Sequence, residues 1–370
     1  MTAQVLIAKA TLLLADDKGL LAMDENNATC NKMFARLGIP QTIEARRTYR
    51  ELLVTTPGLA ESISGVILYD ETIRLTKADG TPLVNAITAL GIIPGIKVDT
   101  GAKGMAGHPG EQITEKLDGL RDRLRAYSDM GARFAKWRAV IGIGEDRPSR
   151  ACIVANAHAL ARYAALCQEA GLLPVVQPEV LAQGDHSLER CFETTEDVLR
   201  TVFDQFYAQG VVFEAMILKP NIVLPGLSTA QQDPVDVVAD ATVRGLLRSV
   251  PAAIAGIAFL SGGQPGQLAS ARLNAMHVSF KGHLAWPLTF SFARALQGPP
   301  PGIWQGRENN VKAAPQALYA RAISNRTARR GEYDAMREGA TVLPTAEAAP
   351  AAMVPSNQPG SFSRPLRMRD

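Results

Sequence analysis

EAMILKPNIV, residues 214–223, starts as an apolar run and ends on a lysine followed at once by a proline. Met216, Ile217 and Leu218 read as the inside of a strand. Pro220 has no N–H to give to a ladder and reads as its end. Near-continuous apolarity, in place of alternation, is the pattern of a parallel strand buried on both faces. Lys219 is then either a solvated cation at the strand tip or an amine held in a pocket.

The same pattern recurs along the chain. Counting FEAMILKPN (213–221), eight candidate strands appear: GLLAMD (19–24), SGVILYD (64–70), IPGIKVD (93–99), ARFAKWRAVI (132–141), LLPVVQPEV (172–180), AIAGIAFLSGG (253–263) and LTFSFAR (288–294) are the others. Helical patterns lie between them. ITEKLDGLRDRLRAYSDMG places leucines at 117, 120 and 124, with acids early and arginines late, as a helix dipole favours. SRACIVANAHALARYAALCQEAG is alanine-rich and stops at Gly171, and TEDVLRTVFDQFYAQG opens on a threonine cap and stops at Gly210. DPVDVVADATVRGLLRSV precedes the seventh strand. Strands alternating with helices predict an α/β fold of the (β/α)8 TIM-barrel type. The competing doubly wound sheet lacks a G-x-G-x-x-G turn after its first strand.

The 370 residues are 46% hydrophobic and 20% charged, with a net charge of +3, an ordinary globular composition. No Lys/Arg block marks a nucleic-acid partner. Four scattered cysteines, Cys30, Cys152, Cys167 and Cys191, form no metal-ligand spacing and suit a reducing, cytoplasmic setting. VLIAKATLLLA near the N-terminus has no basic region before it and reads as a surface helix, neither a signal peptide nor a membrane span. After the QGPPPG turn a helix is expected near 307–330. From Gly339 the chain turns Ala/Pro-rich, with five prolines between 344 and 365. The expected organisation is a single barrel domain over 1–338 with an N-terminal helix, and a mobile, irregular tail over 339–370.

In such a barrel the active site sits at the C-terminal ends of the strands. The polar residues there are Asp24 and Glu25; Lys97 and Asp99; Lys136 and Arg138; Gln177 and Glu179; Lys219 and Asn221; Ser261-Gly262-Gly263; and Ser291 and Arg294. Period-two spacing puts Lys136 with Arg138, and Gln177 with Glu179, on common faces. Three lysines and two arginines around one cavity call for an anion, and phosphate is the natural one. Glycines after strand seven let backbone N–H groups approach it, and Arg294 offers two donors. A lysine crowded by cations in a dry pocket loses its proton easily and then attacks a carbonyl to form a Schiff base. Glu179 and Asp24 are placed for the proton transfers. The residues therefore describe an amine-based carbonyl enzyme acting on a phosphorylated substrate. Trp137, between Lys136 and Arg138, reads as packing.

ILKPN, FAKWRAVI, GIKVD, LARYA, PEVLAQGDH, FLSGGQ and LTFSFARALQ, in their places along the chain, resemble class I fructose-1,6-bisphosphate aldolase over roughly residues 8 to 335. The resemblance implies a metal-independent, cofactor-free Schiff-base lyase of glycolysis and gluconeogenesis, cytoplasmic and tetrameric, that reversibly cleaves fructose 1,6-bisphosphate to dihydroxyacetone phosphate and glyceraldehyde 3-phosphate. It makes Lys219 the imine-forming lysine and Asp24 the acceptor of the C4 hydroxyl proton. Lys136 and Glu179 become neighbouring catalytic groups. Ser261, Gly262 and Arg294 would hold the 1-phosphate, and Lys97 and Arg138 the other end of the sugar.

The chain departs from the family pattern in four respects. Gln177 stands where the family has the glutamate that dehydrates the carbinolamine. A glutamine amide keeps the shape but cannot shuttle a proton. Asn26-Asn27-Ala28-Thr29 replaces Ser-Thr-Gly-Ser, and Met33 replaces an arginine, in the segment that grips the 6-phosphate. Ala293 replaces a glycine beside Arg294. The chain ends RPLRMRD, without the terminal tyrosine of vertebrate members. Two further readings follow: a Schiff-base aldolase with altered phosphosugar preference, and a weakened or non-catalytic sugar-phosphate-binding relative.

Overall fold

The computed structural model describes residues 3–280, 282–336 and 338. The tail expected over 339–370 lies outside them. Eight parallel strands close into a barrel: β1 Gly19–Ala22, β2 Ile63–Leu68, β3 Ile93–Lys97, β4 Phe134–Ile141, β5 Leu173–Val180, β6 Ile217–Leu218, β7 Gly256–Phe259 and β8 Leu288–Phe292. Each pairs with its neighbours in sequence, and β1 closes the ring against β8. The barrel and its helices match the expected fold.

Each strand is buried on both faces, as the apolar runs implied. The outward faces of β4 and β5 join the core under the helices: Ala135, Trp137, Ala139, Ile141, Val176 and Val180. Trp137 packs on Tyr163, with ring centroids 5.7 Å apart. The inward faces change character along the strand. Phe134, Leu173, Val175 and Ile217 fill the lower interior. Two residues further on the same faces carry Lys136, Gln177 and Lys219. Gly95 makes room for this packing, since a Cβ there would lie 2.3 Å from the Phe134 ring.

The helix Ala3–Leu14 corrects the expectation of a surface helix. Leu6, Ala10, Leu13 and Leu14 are buried in the same cluster as the lower barrel interior, so the helix plugs the foot of the barrel. Ser64 Oγ donates to its Leu13 carbonyl at 2.6 Å.

Other boundaries also move. The sixth strand was expected from 213, but Phe213–Ala215 is a 3-10 turn and only Ile217–Leu218 pairs as a strand. The stretch 113–131 is helical only over Leu120–Asp129, and Gln112–Thr114 instead pairs with Ala102–Gly104 in a hairpin. Leu117 therefore precedes the helix. The helix after β5 begins at Leu188, capped by Ser187, not by a threonine near 195. Thr194 turns its hydroxyl back to the Arg190 carbonyl at 2.8 Å, the alternative bond open to a threonine inside a helix. The helix Arg150–Glu169 is capped by Ser149, and Ala313–Arg330 supplies the late helix expected near 307–330.

Candidate active site

The C-terminal ends of the strands bring Asp24, Lys97, Lys136, Arg138, Gln177, Glu179 and Lys219 to one mouth. Lys219 follows β6 directly. Its N–H donates to the Val176 carbonyl at 2.7 Å, so the backbone is still held in the ladder where the side chain leaves it. Pro220 gives no N–H, yet its carbonyl accepts from Leu260 at 3.0 Å.

The charges are more fully paired than the sequence implied. Lys136 Nζ lies 2.7 Å from an Asp24 oxygen, and Lys97 Nζ lies 3.4 Å from Asp99. Arg138 grips Glu179 through two donors, Nε at 2.5 Å and Nη2 at 2.9 Å. Gln177 Nε2 adds a third bond to Glu179 at 2.8 Å. Repulsion among five cations is thus largely relieved by Asp24, Asp99 and Glu179. Lys219 is 3% exposed, and its Nζ has no hydrogen bond or ion pair among the described residues. Arg294 has no ion pair among them either.

These contacts set the protonation states. Burial first, and then the Lys136 charge, push the Lys219 amine down to about 7 against the pull of Asp24 and Glu179. Burial alone would raise Asp24, but Lys136, Lys219 and Lys97 outweigh it and hold the carboxyl far below its usual range. Burial likewise works to raise Glu179, and the bonds from Arg138 and Gln177 overcome it and lower its pKa. At neutral pH the mouth therefore holds an amine near half-protonation between two ionised carboxylates.

A second polar group follows β7 and β8. Ser261 to Gln264 form a tight turn, closed by the Gln264 N–H on the Ser261 carbonyl at 3.0 Å. Gly262 at φ 59° and Gly263 at φ 89° are both left-handed, as a type I′ turn demands and glycine permits. Arg294 reaches this turn, since a Cβ on Gly263 would sit 3.5 Å from its Nη2. Ala293 is half-buried at φ −99°, ψ −99°, just before Arg294.

Thr29 is not drawn into the central group. It is exposed in the first turn of the helix Asn27–Arg36, and its N–H bonds the capping Asn26 side chain at 2.8 Å. Met33, on the same helix, packs against the core. Asn221 is structural, with its Oδ1 accepting from the Val180 N–H at 3.0 Å at the end of β5.

Sequence reasoning named Asp99 without a role and missed Arg50, Gln297 and Arg272. Asp99 accepts from the Arg138 N–H at 3.2 Å, fixing the strand beside Glu179. Arg50 pairs with Glu25 at 3.0 Å, and Gln297 bonds both Glu25 and the Ala22 carbonyl. Arg272 donates to the side chain of Gln264, the last residue of the 261–264 turn. Asp99 follows Lys97 by two residues, a signal legible in the sequence, whereas Arg50 and Arg272 sit inside ordinary helices. A depression of about 450 Å³ near Asp17, Leu288 and Arg330 lies at the foot of the barrel, away from these groups.

Fold and site together define a (β/α)8 protein with a buried, near-neutral amine among ionised carboxylates. The sequence model described as fructose-bisphosphate aldolase class-I matches residues 5–346. Over 334 residues the chain is 51% identical to the probable fructose-bisphosphate aldolase class 1 of Xanthomonas axonopodis pv. citri, spanning 90% of this chain and 99% of that one. Fructose-bisphosphate aldolase 6, cytosolic, of Arabidopsis thaliana is 46% identical, spanning 90% and 92%. The solved fructose-bisphosphate aldolase of Plasmodium falciparum, crystallised with TRAP and a small-molecule inhibitor, aligns at a TM-score of 0.88 and 42% identity, covering 90% of this chain and 96% of that one. The chain belongs to the class I fructose-bisphosphate aldolase family, a family of carbon–carbon lyases.

Proposed function

We propose that the chain is a Schiff-base aldolase that reversibly cleaves fructose 1,6-bisphosphate to dihydroxyacetone phosphate and glyceraldehyde 3-phosphate. The observation that carries this reading is Lys219, buried beside Lys136 with its amine brought down to about 7. The neutral amine adds to the C2 carbonyl, and protonation of the carbinolamine hydroxyl with loss of water gives the protonated imine, the iminium. Asp24, ionised against Lys136, takes the C4 hydroxyl proton as the C3–C4 bond breaks. The bonding electrons pass into the iminium to give an enamine, and the aldehyde leaves. Protonation at C3 and hydrolysis then free the ketone and restore Lys219.

Ser261, Gly262, Ala293 and Arg294 would hold the 1-phosphate, with Lys97, Arg138 and Thr29 toward the other end. Lys136 and Glu179 act as charged neighbours of the imine. The catalytic unit would be residues 1–338, working in the cytoplasm as a homotetramer. Borohydride reduction in the presence of fructose 1,6-bisphosphate tests the chemistry. One adduct on Lys219 is expected, absent from Lys219→Arg. Reduction that labels no lysine, or another one, overturns the proposal.

A second reading concerns preference. Thr29 is exposed and Met33 packs inward, so this segment gives the distal phosphate fewer charged donors than the family pattern. On this reading fructose 1-phosphate is cleaved with a kcat/KM close to that of the bisphosphate. A strong preference for the bisphosphate rules it out.

A further inference from the structure

Arg272 lies on the helix Gly266–Phe280 and is 2% exposed, a buried cation that the proposed chemistry does not use. Its Nη1 donates to Gln264 Oε1 at 2.6 Å. The other end of that amide, Nε2, donates to the Ser261 carbonyl at 2.9 Å. The Gln264 backbone N–H reaches the same carbonyl at 3.0 Å. Ser261 is the first residue of the left-handed glycine turn over which Arg294 sits.

The chemistry of the chain of bonds matters. A guanidinium offers donors only, so the amide face it meets must be the oxygen. That leaves the NH2 group facing Ser261 and its carbonyl turned inward. Without such a neighbour the amide could flip and present its own oxygen to the carbonyl, which would break the bond. With the carbonyl held inward, the N–H groups of Gly262 and Gly263, which have no acceptor among the described residues, stay free for an anion. The guanidinium also sets a positive charge behind the turn, where burial strengthens its field.

We propose that Arg272 is a positioning residue for the phosphate site, acting through Gln264 to fix the Ser261–Gly263 turn in its anion-accepting form. The inference rests on the reading of Ser261, Gly262 and Arg294 as the phosphate site. Burial lowers the guanidinium to about 10, which leaves it charged at neutral pH.

The test compares Arg272→Met, Gln264→Leu and Arg294→Ala, using inorganic phosphate as a competitive probe alongside steady-state cleavage. For Arg272→Met, KM and the phosphate inhibition constant are expected to rise about tenfold, the size set by losing a charged hydrogen bond. The loss in kcat/KM falls mainly on KM, and borohydride trapping of unphosphorylated dihydroxyacetone on Lys219 stays intact. Arg272→Lys, which keeps donor and charge, recovers part of the affinity. If Arg272→Met does not fold, Gln264→Leu breaks the same relay and is expected to give the same split. Phosphate inhibition unchanged in the relay variant while Arg294→Ala weakens it overturns the role of Arg272 alone. Inhibition unchanged in Arg294→Ala as well overturns the phosphate site itself.

Discussion

At the residue scale, Lys219 and Gln177 carry the chemistry in opposite directions. The Lys219 amine titrates near 7, so the neutral fraction that attacks a carbonyl grows as pH rises through that value. The rate of imine formation, read by rapid-mixing reduction, should climb between about pH 6 and 8 and then level. Gln177 works against the next step. Its Nε2 is committed to Glu179, and Glu179, also held by Arg138, is kept ionised and donates no proton. Gln177 Oε1 is buried without a partner among the described residues, able to accept a hydrogen bond but not to protonate a leaving hydroxyl. Carbinolamine dehydration should therefore limit turnover. Gln177→Glu is expected to raise kcat by about 10²-fold, at the low end for a positioned proton donor. A variant no faster than the parent would show that dehydration proceeds by another route.

At the element scale, strands and helices differ in how much of them the chain spells out. Apolar runs such as FAKWRAVI mark a strand because burial on both faces leaves no polar position until the barrel mouth. Their ends then name Lys136, Arg138, Gln177 and Glu179 at once. What stays hidden is contact between distant segments. The pairing of Lys136 with Asp24 spans the barrel, so sequence spacing shows five cations where the folded mouth holds three ion pairs. Thr195 looks like a cap because threonine favours caps, but helix packing carries the helix back to Ser187. The N-terminal helix was misplaced for the same reason, since nothing in VLIAKATLLLA says which surface its leucines meet. Leu13 is fully buried at the barrel foot. Leu13→Ala should cost about 2–5 kcal/mol of stability in denaturant unfolding. KM should hold, because the foot and the mouth are opposite ends of the strands. A rise in KM without loss of stability would contradict that separation.

At the scale of the whole molecule, the mouth ties stability to pH in two windows. Asp24 and Glu179 have folded pKa values below their ordinary values of 3.8 and 4.5, so their contribution is present above those values and is lost as pH falls below them. Lys219 has the opposite sign of consequence. Its folded pKa is about 7 against an ordinary 10.5. Below 7 both states bind the proton and the folded state carries the full penalty of a buried charge. Between 7 and 10.5 the unfolded chain holds a proton that the folded one has released, so stability climbs with pH. The net direction is downward despite Asp24 and Glu179, which means burial and Lys136 outweigh their attraction. Replacing the amine with an apolar side chain of similar length should therefore stabilise the free protein. Lys219→Met is expected to gain on the order of a few kcal/mol at pH 6, shrinking toward zero by about pH 10.5. Chemical denaturation of parent and variant across pH 6 to 10.5 measures it. A variant less stable than the parent at pH 6 would mean that the carboxylates hold Lys219 as a structural cation, and the same result would remove the reason to expect a neutral amine there.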